Sequence, residues 1–131
     1  MKTLIIEDDF TSRLLLQELL KSYGPTHTAV NGKEAVEAVR LAMAAGEPYD
    51  LLCLDIMMPE MDGQAALKHI RALEEAQGIW STYGAKIVMT TALCDMKNVT
   101  AAFSGLADAY QTKPIEKSKL LDALRQLKLI P

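Results

Sequence analysis

The chain has 131 residues, half of them apolar and 24% charged, with a net charge of −3, which excludes a disordered chain and predicts one domain spanning residues 1–131. The mild acidic balance, without a basic stripe, argues against direct nucleic-acid binding. No apolar run approaches the ~18 residues that cross a bilayer, and the N-terminus lacks a signal peptide, so we expect a cytoplasmic protein without membrane contact.

Five segments predict β-strands. Three are short, unbroken apolar runs, which are typical of strands buried on both faces: Leu4–Ile6, Leu51–Leu54 and Ile87–Met89. Residues 27–30 and 109–111 have mixed polarity, which indicates weaker strands at the edges of a sheet.

Between these strands, apolar residues recur at helical spacing. The five stripes run from Leu16 to Tyr23, Val36 to Met43, Leu67 to Leu73, Val99 to Leu106 and Leu120 to Leu127. Turns are predicted at Gly24-Pro25 and Asn31-Gly32, and the third helix opens at Asp62-Gly63. Strand and helix thus alternate five times. This order predicts an α/β fold, with a five-stranded parallel sheet and helices on both faces.

Chemically capable side chains follow most of the predicted strands. Ligands of such sheets bind beyond the carboxyl ends of the strands, so these side chains are the candidates for a functional site. Four segments converge there: Glu7-Asp8-Asp9 after the first strand, Asp55 after the third, Thr90-Thr91 after the fourth, and Lys113-Pro114 after the fifth.

This set of side chains favours phosphoryl transfer onto an aspartate. Clustered carboxylates repel one another, and with no histidine or cysteine among them they select a hard cation such as Mg²⁺. A lysine and a threonine hydroxyl beside such a site can bind a phosphoryl group, although a plain salt bridge is the simpler interpretation of Lys113. Asp55 is the central candidate, because it ends the most hydrophobic strand.

Four motifs, in the right order and at the right strand ends, resemble the receiver domain of two-component response regulators of the chemotaxis-regulator type. They are LIIEDD, LDIMMPEMDG, TTA and TKP, and the resemblance covers essentially the whole chain. It implies the flavodoxin-like (βα)5 fold, with strand order 2-1-3-4-5.

The resemblance also implies a phosphoacceptor and a metal site. Asp55 would accept the phosphoryl group, and Glu7 with Asp8 would hold Mg²⁺ together with Asp55 and the backbone carbonyl of Met57. The three consecutive acids leave the register open: we favour Glu7 and Asp8 over Asp8 and Asp9, because Asp9 is expected to cap the first helix.

Further roles follow from the same resemblance. Thr91, the Ala92 amide and Lys113 would bind the phosphoryl oxygens, and Tyr110 would be the aromatic residue that changes orientation when Thr91 moves. Thr90 is the alternative to Thr91, and strand alternation places the two on opposite faces of the sheet. Ordinary packing at the sheet edge is the alternative interpretation of Tyr110.

The function implied is a phosphorylation-activated signalling switch. The domain would accept phosphate from a sensor histidine kinase or a phosphotransfer protein, change the surface formed by the fourth helix, fifth strand and fifth helix, and act on a downstream protein target. A phosphorylation-dependent homodimer is a further implied partner. Such a domain is no enzyme on external substrates and catalyses only its own phosphoryl transfer and dephosphorylation.

Two alternatives stay open at this point. An aspartate-nucleophile phosphatase of the haloacid dehalogenase type uses similar groups, but it needs a second aspartate two residues after the nucleophile, where this chain has Met57. A non-phosphorylated, receiver-like scaffold is the other. The chain fits both a single-domain regulator and a piece of a longer protein.

Overall fold

A computed structural model of the chain describes residues 1–55, 63–79, 84–102 and 106–131. Within them, five parallel strands form one sheet in the order β2-β1-β3-β4-β5, which confirms the predicted fold. The strands are β1 (Thr3–Ile6), β2 (Thr26–Ala29), β3 (Leu51–Asp55), β4 (Lys86–Ala92) and β5 (Ala109–Lys113).

Helices connect the strands and cover both faces of the sheet. They are α1 (Phe10–Leu20), α2 (Gly32–Ala44), α3 (Gly63–Ala76), α4 (Met96–Ala102) and α5 (Lys117–Gln126). α1 is shorter than its apolar stripe, because Tyr23 lies in a separate 3₁₀ turn, Lys21–Tyr23. Asp62, which was predicted to open α3 with Gly63, and Phe103, which belongs to the apolar stripe of α4, lie outside the described residues. None of the described helices is long and apolar enough to cross a membrane.

The sheet separates two hydrophobic clusters, which explains the unbroken apolar runs. Leu4 and Leu52 face the cluster that α2 and α3 cover, whereas Ile5 and Cys53 face the cluster that α1 and α5 cover. Every residue of β1 and β3 is therefore buried, as expected for central strands of a parallel sheet.

Strand ends differ from the predictions by a few residues. β2 and β5 are edge strands, as their mixed polarity predicted. β4, however, continues past Met89 through Thr90 and Thr91, because these residues pair with β5 in the same register as the apolar ones before them. Backbone pairing sets the end of the strand here, and side-chain polarity does not reveal it.

The strand order changes direction at β1, which pairs with β2 on one side and β3 on the other. The carboxyl ends of β1 and β3 are neighbours, since Ile6 pairs with Leu54. The next residue along each strand is an acid, Glu7 and Asp55. The topology therefore brings the two acidic segments together at the carboxyl ends of β1 and β3.

Candidate functional site

The turn between β1 and α1 carries three acids in three different environments. Glu7 is buried, with 1% of its surface exposed, and its N–H donates to the Ala29 carbonyl at 3.0 Å. Asp8 is exposed. Asp9 caps α1: its Oδ2 accepts from the Ser12 N–H at 2.8 Å, and this hydrogen bond holds the pKa of Asp9 below its usual value.

Asp55 completes an acidic cluster with two of these residues. Glu7, Asp8 and Asp55 each offer a carboxylate oxygen, and the three oxygens lie within 4.8 Å of one another. Oxygen ligands from two or three carboxylates suit a hard divalent cation, so these residues fit Mg²⁺. The Asp9 carboxylate is instead engaged at the helix cap. The choice of Glu7 and Asp8 as metal ligands stays a prediction.

Lys113 provides a positive charge at this cluster. Its Nζ lies 3.1 Å from Glu7 Oε1 and 3.2 Å from Asp55 Oδ2. Burial by itself would lower the pKa of Lys113, but the hydrogen bond to Glu7 and the charges of Asp55 and Glu7 raise it overall. The side chain therefore stays protonated. The adjoining Lys113–Pro114 peptide bond is cis.

Glu7 has an unusual protonation equilibrium. Burial, then a hydrogen bond with the Asp55 carboxyl, then the charge of Asp55 raise the pKa of Glu7 from 4.5 to about 7, against the opposing effect of Lys113. In the metal-free protein, the Glu7 carboxyl therefore keeps a proton up to about pH 7. A divalent cation bound there would compete with that proton.

The two threonines of β4 lie on opposite faces of the sheet, as strand alternation predicts. Thr90 is the register partner of Asp55. Thr91 is buried, its hydroxyl lies 3.4 Å from the Ala92 carbonyl oxygen, and it is two residues along the strand from Met89, the register partner of Tyr110. Thr91 and Tyr110 therefore belong to the same face of the sheet.

Tyr110 packs against the hydrophobic core and also lines a surface groove. The half-buried ring packs against the hydrophobic cluster under α2 and α3, and burial, followed by the charge of Asp108, raises its pKa. The same residue lines a groove of about 320 Å³ together with Met96 of α4 and Lys119 and Asp122 of α5. Packing at the sheet edge is therefore observed for Tyr110, and its role as a switch residue stays a prediction.

One predicted site residue falls outside this geometry, and one contact was not predicted. Met57 lies outside the described residues. Arg13 was not a candidate, yet its Nη1 donates to the Glu7 carbonyl oxygen at 3.0 Å. A usable signal existed, because a cation near the start of a helix is unfavourable for the helix dipole and suggests a compensating contact.

Comparison with known proteins identifies one protein family along nearly the whole chain. The family model described as "Response regulator receiver domain" matches residues 3–125. Sensory/regulatory protein RpfC of Xanthomonas campestris pv. campestris is 34% identical over 127 residues, which are 97% of this chain and 16% of RpfC. Chemotaxis protein CheY of Halobacterium salinarum is 32% identical over 124 residues, covering 94% of this chain and 92% of CheY.

Solved structures agree with these matches. The CheX–CheY complex with BeF3 and Mg²⁺ from Borrelia burgdorferi superimposes with a TM-score of 0.80 at 25% identity, covering 98% of this chain and 89% of that one. The match extends over almost the full length of both chains, whereas the chain spans only 16% of the length of RpfC.

Proposed function

Because the chain belongs to the response regulator receiver domain family, a module of two-component signalling, we propose that Asp55 is its phosphoacceptor. One observation carries the proposal: the buried Asp55 carboxylate lies within 3.2 Å of Lys113 Nζ and in an acidic cluster that fits Mg²⁺. Lys113 and the candidate metal ligands Glu7 and Asp8 thus surround the single carboxylate that would act as the nucleophile. Phosphoryl transfer depends mainly on such positioning and charge neutralisation.

The reaction needs few groups from the protein. An Asp55 oxygen attacks the phosphorus of a phosphohistidine, a P–O bond forms, and the P–N bond breaks as the imidazole leaves. Glu7, Asp8, Asp55 and the Met57 carbonyl would hold Mg²⁺, and the ion would supply positive charge for the phosphoryl oxygens. Lys113, whose Nζ lies beside the Asp55 carboxylate, would pair with one of these oxygens.

The signal leaves the site through Thr91 and Tyr110. The phosphoryl group adds up to two negative charges and strong acceptors beside Asp55. The Thr91 hydroxyl and the Ala92 amide donate to it, and movement of Thr91 changes the space available to the Tyr110 ring on the same face of the sheet. The groove between α4 and α5 changes shape as a result.

The partners follow from this chemistry. A sensor histidine kinase or a phosphotransfer protein supplies the phosphoryl group, and a downstream protein reads the surface of α4, β5 and α5, with a phosphorylation-dependent homodimer as a further outcome. Residues 1–131 act as one receiver domain in the cytoplasm, where a kinase using ATP can load it. The domain catalyses only its own phosphorylation and dephosphorylation.

The family match argues against the phosphatase alternative. A haloacid dehalogenase-type enzyme needs a general acid two residues after its nucleophile, and this chain has Met57 there. The acids and the lysine of the site are all present, which favours a working receiver over a scaffold that is never phosphorylated.

Beryllofluoride binding followed by ¹⁹F NMR tests the proposal. We expect a bound fluorine signal only when Mg²⁺ is present, and we expect Asp55→Asn to abolish it, since the beryllium needs an anionic oxygen. Asp50→Asn, at the opposite end of β3, is the matched control and should bind like the parent. A bound signal in Asp55→Asn, or none in the parent, would contradict the proposal.

A further inference from the structure

Arg13 contacts the residues on both sides of Asp8. Its side-chain Nη1 donates to the Glu7 carbonyl at 3.0 Å, and its backbone N–H donates to the Asp9 carbonyl at 2.9 Å. The side chain is half-buried and its guanidinium lies 5.6 Å from the centre of the Phe10 ring. A residue of α1 thus holds the acidic turn from the outside.

A hydrogen bond to the Glu7 carbonyl affects the backbone at Asp8. The carbonyl of Glu7 and the N–H of Asp8 belong to one planar peptide group, so a hydrogen bond to the carbonyl fixes the plane from which Asp8 departs. The Glu7 N–H is bound to Ala29, and the Asp9 side chain caps α1. With Arg13 in place, the backbone is held on each side of Asp8.

Asp8 needs this support more than its two partners in the cluster. Glu7 and Asp55 are buried and pair with Lys113, whereas Asp8 is exposed. Its carboxylate nevertheless lies within 4.8 Å of the other two. Because few neighbouring side chains restrict an exposed residue, its backbone position decides which places its carboxylate can reach.

We propose that Arg13 is a positioning residue for Asp8 as a magnesium ligand. The inference rests on the proposed metal site, and it assigns the job of orienting that site to a side chain that does not itself contact the metal. Groups of this kind, which hold a ligand in place, commonly contribute tenfold or more to metal affinity.

The charge of Arg13 and its contact with the Glu7 carbonyl have opposite effects on Mg²⁺ affinity. As a positive charge near the cluster, Arg13 repels Mg²⁺, so its removal would strengthen Mg²⁺ binding if charge were its only effect. As a positioning residue it strengthens binding, so its removal weakens it. The sign of the change therefore separates the two roles.

The experiment measures Mg²⁺ dissociation constants by calorimetry. Arg13→Met should raise the constant about tenfold. Arg13→Lys keeps the charge on a shorter side chain and should fall between the parent and Arg13→Met. Lys33→Met removes an exposed cation at the start of α2, at the same edge of the sheet, and reports the pure charge effect, which is equal or tighter binding.

A readout on the metal-free protein complements the titration. The Asp8 amide shares its peptide group with the Glu7 carbonyl, so we expect its NMR shifts to change in Arg13→Met and to stay unchanged in Lys33→Met. Equal or tighter Mg²⁺ binding by Arg13→Met, or an unchanged Asp8 amide, would overturn the inference.

The parent and Asp8→Asn separate this result from failure of the metal site itself. If the parent does not bind Mg²⁺, the proposed site and the role of Arg13 fall together. If the parent binds and Asp8→Asn weakens binding while Arg13→Met does not, the site stands and only the role of Arg13 is wrong.

Discussion

Lys113 of β5 reaches across β4 to place its Nζ 3.2 Å from Oδ2 of Asp55 at the end of β3. This contact joins two strands that are not neighbours in the sheet. It keeps a cation at the place where a phosphoryl group on Asp55 would need one, so the site is electrostatically prepared before any phosphorylation.

Loss of the Lys113 charge should have two opposite effects. Lys113→Met leaves Glu7 and Asp55 without their cation, and we expect the free energy of unfolding without metal at pH 8 to fall by about 2 kcal/mol, less than for a fully buried pair. Mg²⁺ should then stabilise the variant more than the parent. Chemical denaturation with and without Mg²⁺ measures both. Lys117→Met, an exposed cation of α5, is the control, and an equal Mg²⁺ response in both variants would contradict the account.

The raised pKa of Glu7 predicts a pH dependence of stability. The folded, metal-free protein binds a proton on Glu7 up to about pH 7, whereas the unfolded chain releases it near 4.5. The folded state holds more protons in this window, so the free energy of unfolding should decrease as pH rises from about 4.5 to about 7. Mg²⁺ should reverse the trend, because it binds the deprotonated carboxylate.

Thermal unfolding between pH 4.5 and 8, with and without Mg²⁺, measures this dependence. Glu7→Gln should flatten the metal-free profile in that window and remove most of the Mg²⁺ stabilisation. A parent profile that rises steadily with pH in the absence of metal would show that Glu7 does not carry the proton.

The switch prediction separates binding from transmission. Thr91→Ala removes the hydroxyl that is expected to follow the phosphoryl group, so beryllofluoride should still bind while the NMR shifts of Tyr110 and α4 change much less than in the parent. Thr91→Ser keeps the hydroxyl and should retain the changes. Thr90→Ala distinguishes the two threonines: if it breaks the coupling and Thr91→Ala does not, Thr90 is the switch residue.

A second buried ion-pair network lies at the amino ends of β4 and β5, away from the acidic cluster. Arg71 of α3 donates to Glu74 Oε1 at 2.8 Å and to Asp108 Oδ2 at 3.3 Å. Glu74 and Asp108 in turn accept from the Ala85 and Ile87 N–H groups, both at 2.8 Å. The network joins α3, the start of β4 and the segment before β5.

Breaking this network should destabilise the fold without affecting phosphorylation. Arg71→Met leaves two carboxylates without their cation, at an expected cost of about 3 kcal/mol. Arg40→Met, which breaks the exposed pair with Glu37 on α2, should lower the free energy of unfolding far less, because solvent screens that pair. Denaturant titration compares the two, and similar losses in both variants would show that the Arg71 network does not stabilise the protein.

The fold was predictable because its signals are local. Unbroken apolar runs such as Leu51–Leu54 and helical stripes such as Leu16 to Leu20 each depend on a few neighbouring residues. The ends of β4 were less predictable, since Thr90 and Thr91 owe their strand conformation to pairing with β5.

The proximity of Asp55 and Lys113 was predictable from motifs at the strand ends, because the parallel topology brings those ends together. Their roles in phosphoryl transfer stay predictions. Arg13 and Arg71 were missed, because their roles depend on side-chain contacts with the Glu7 carbonyl and with Asp108 that leave no motif. For Arg71 and Glu74, a signal was present: both lie at core-facing positions of the stripe through Leu67 and Ile70, where charged residues need partners.

Mass spectrometry after incubation with Mg²⁺ and acetyl phosphate, a small phosphodonor, tests the central claim most directly. We predict the gain of one phosphoryl group, located by peptide analysis at Asp55, complete loss of that gain in Asp55→Asn, and full retention in Asp50→Asn. Labelling of Asp55→Asn to the parent level, or a phosphoryl group on another residue of the parent, would contradict the account.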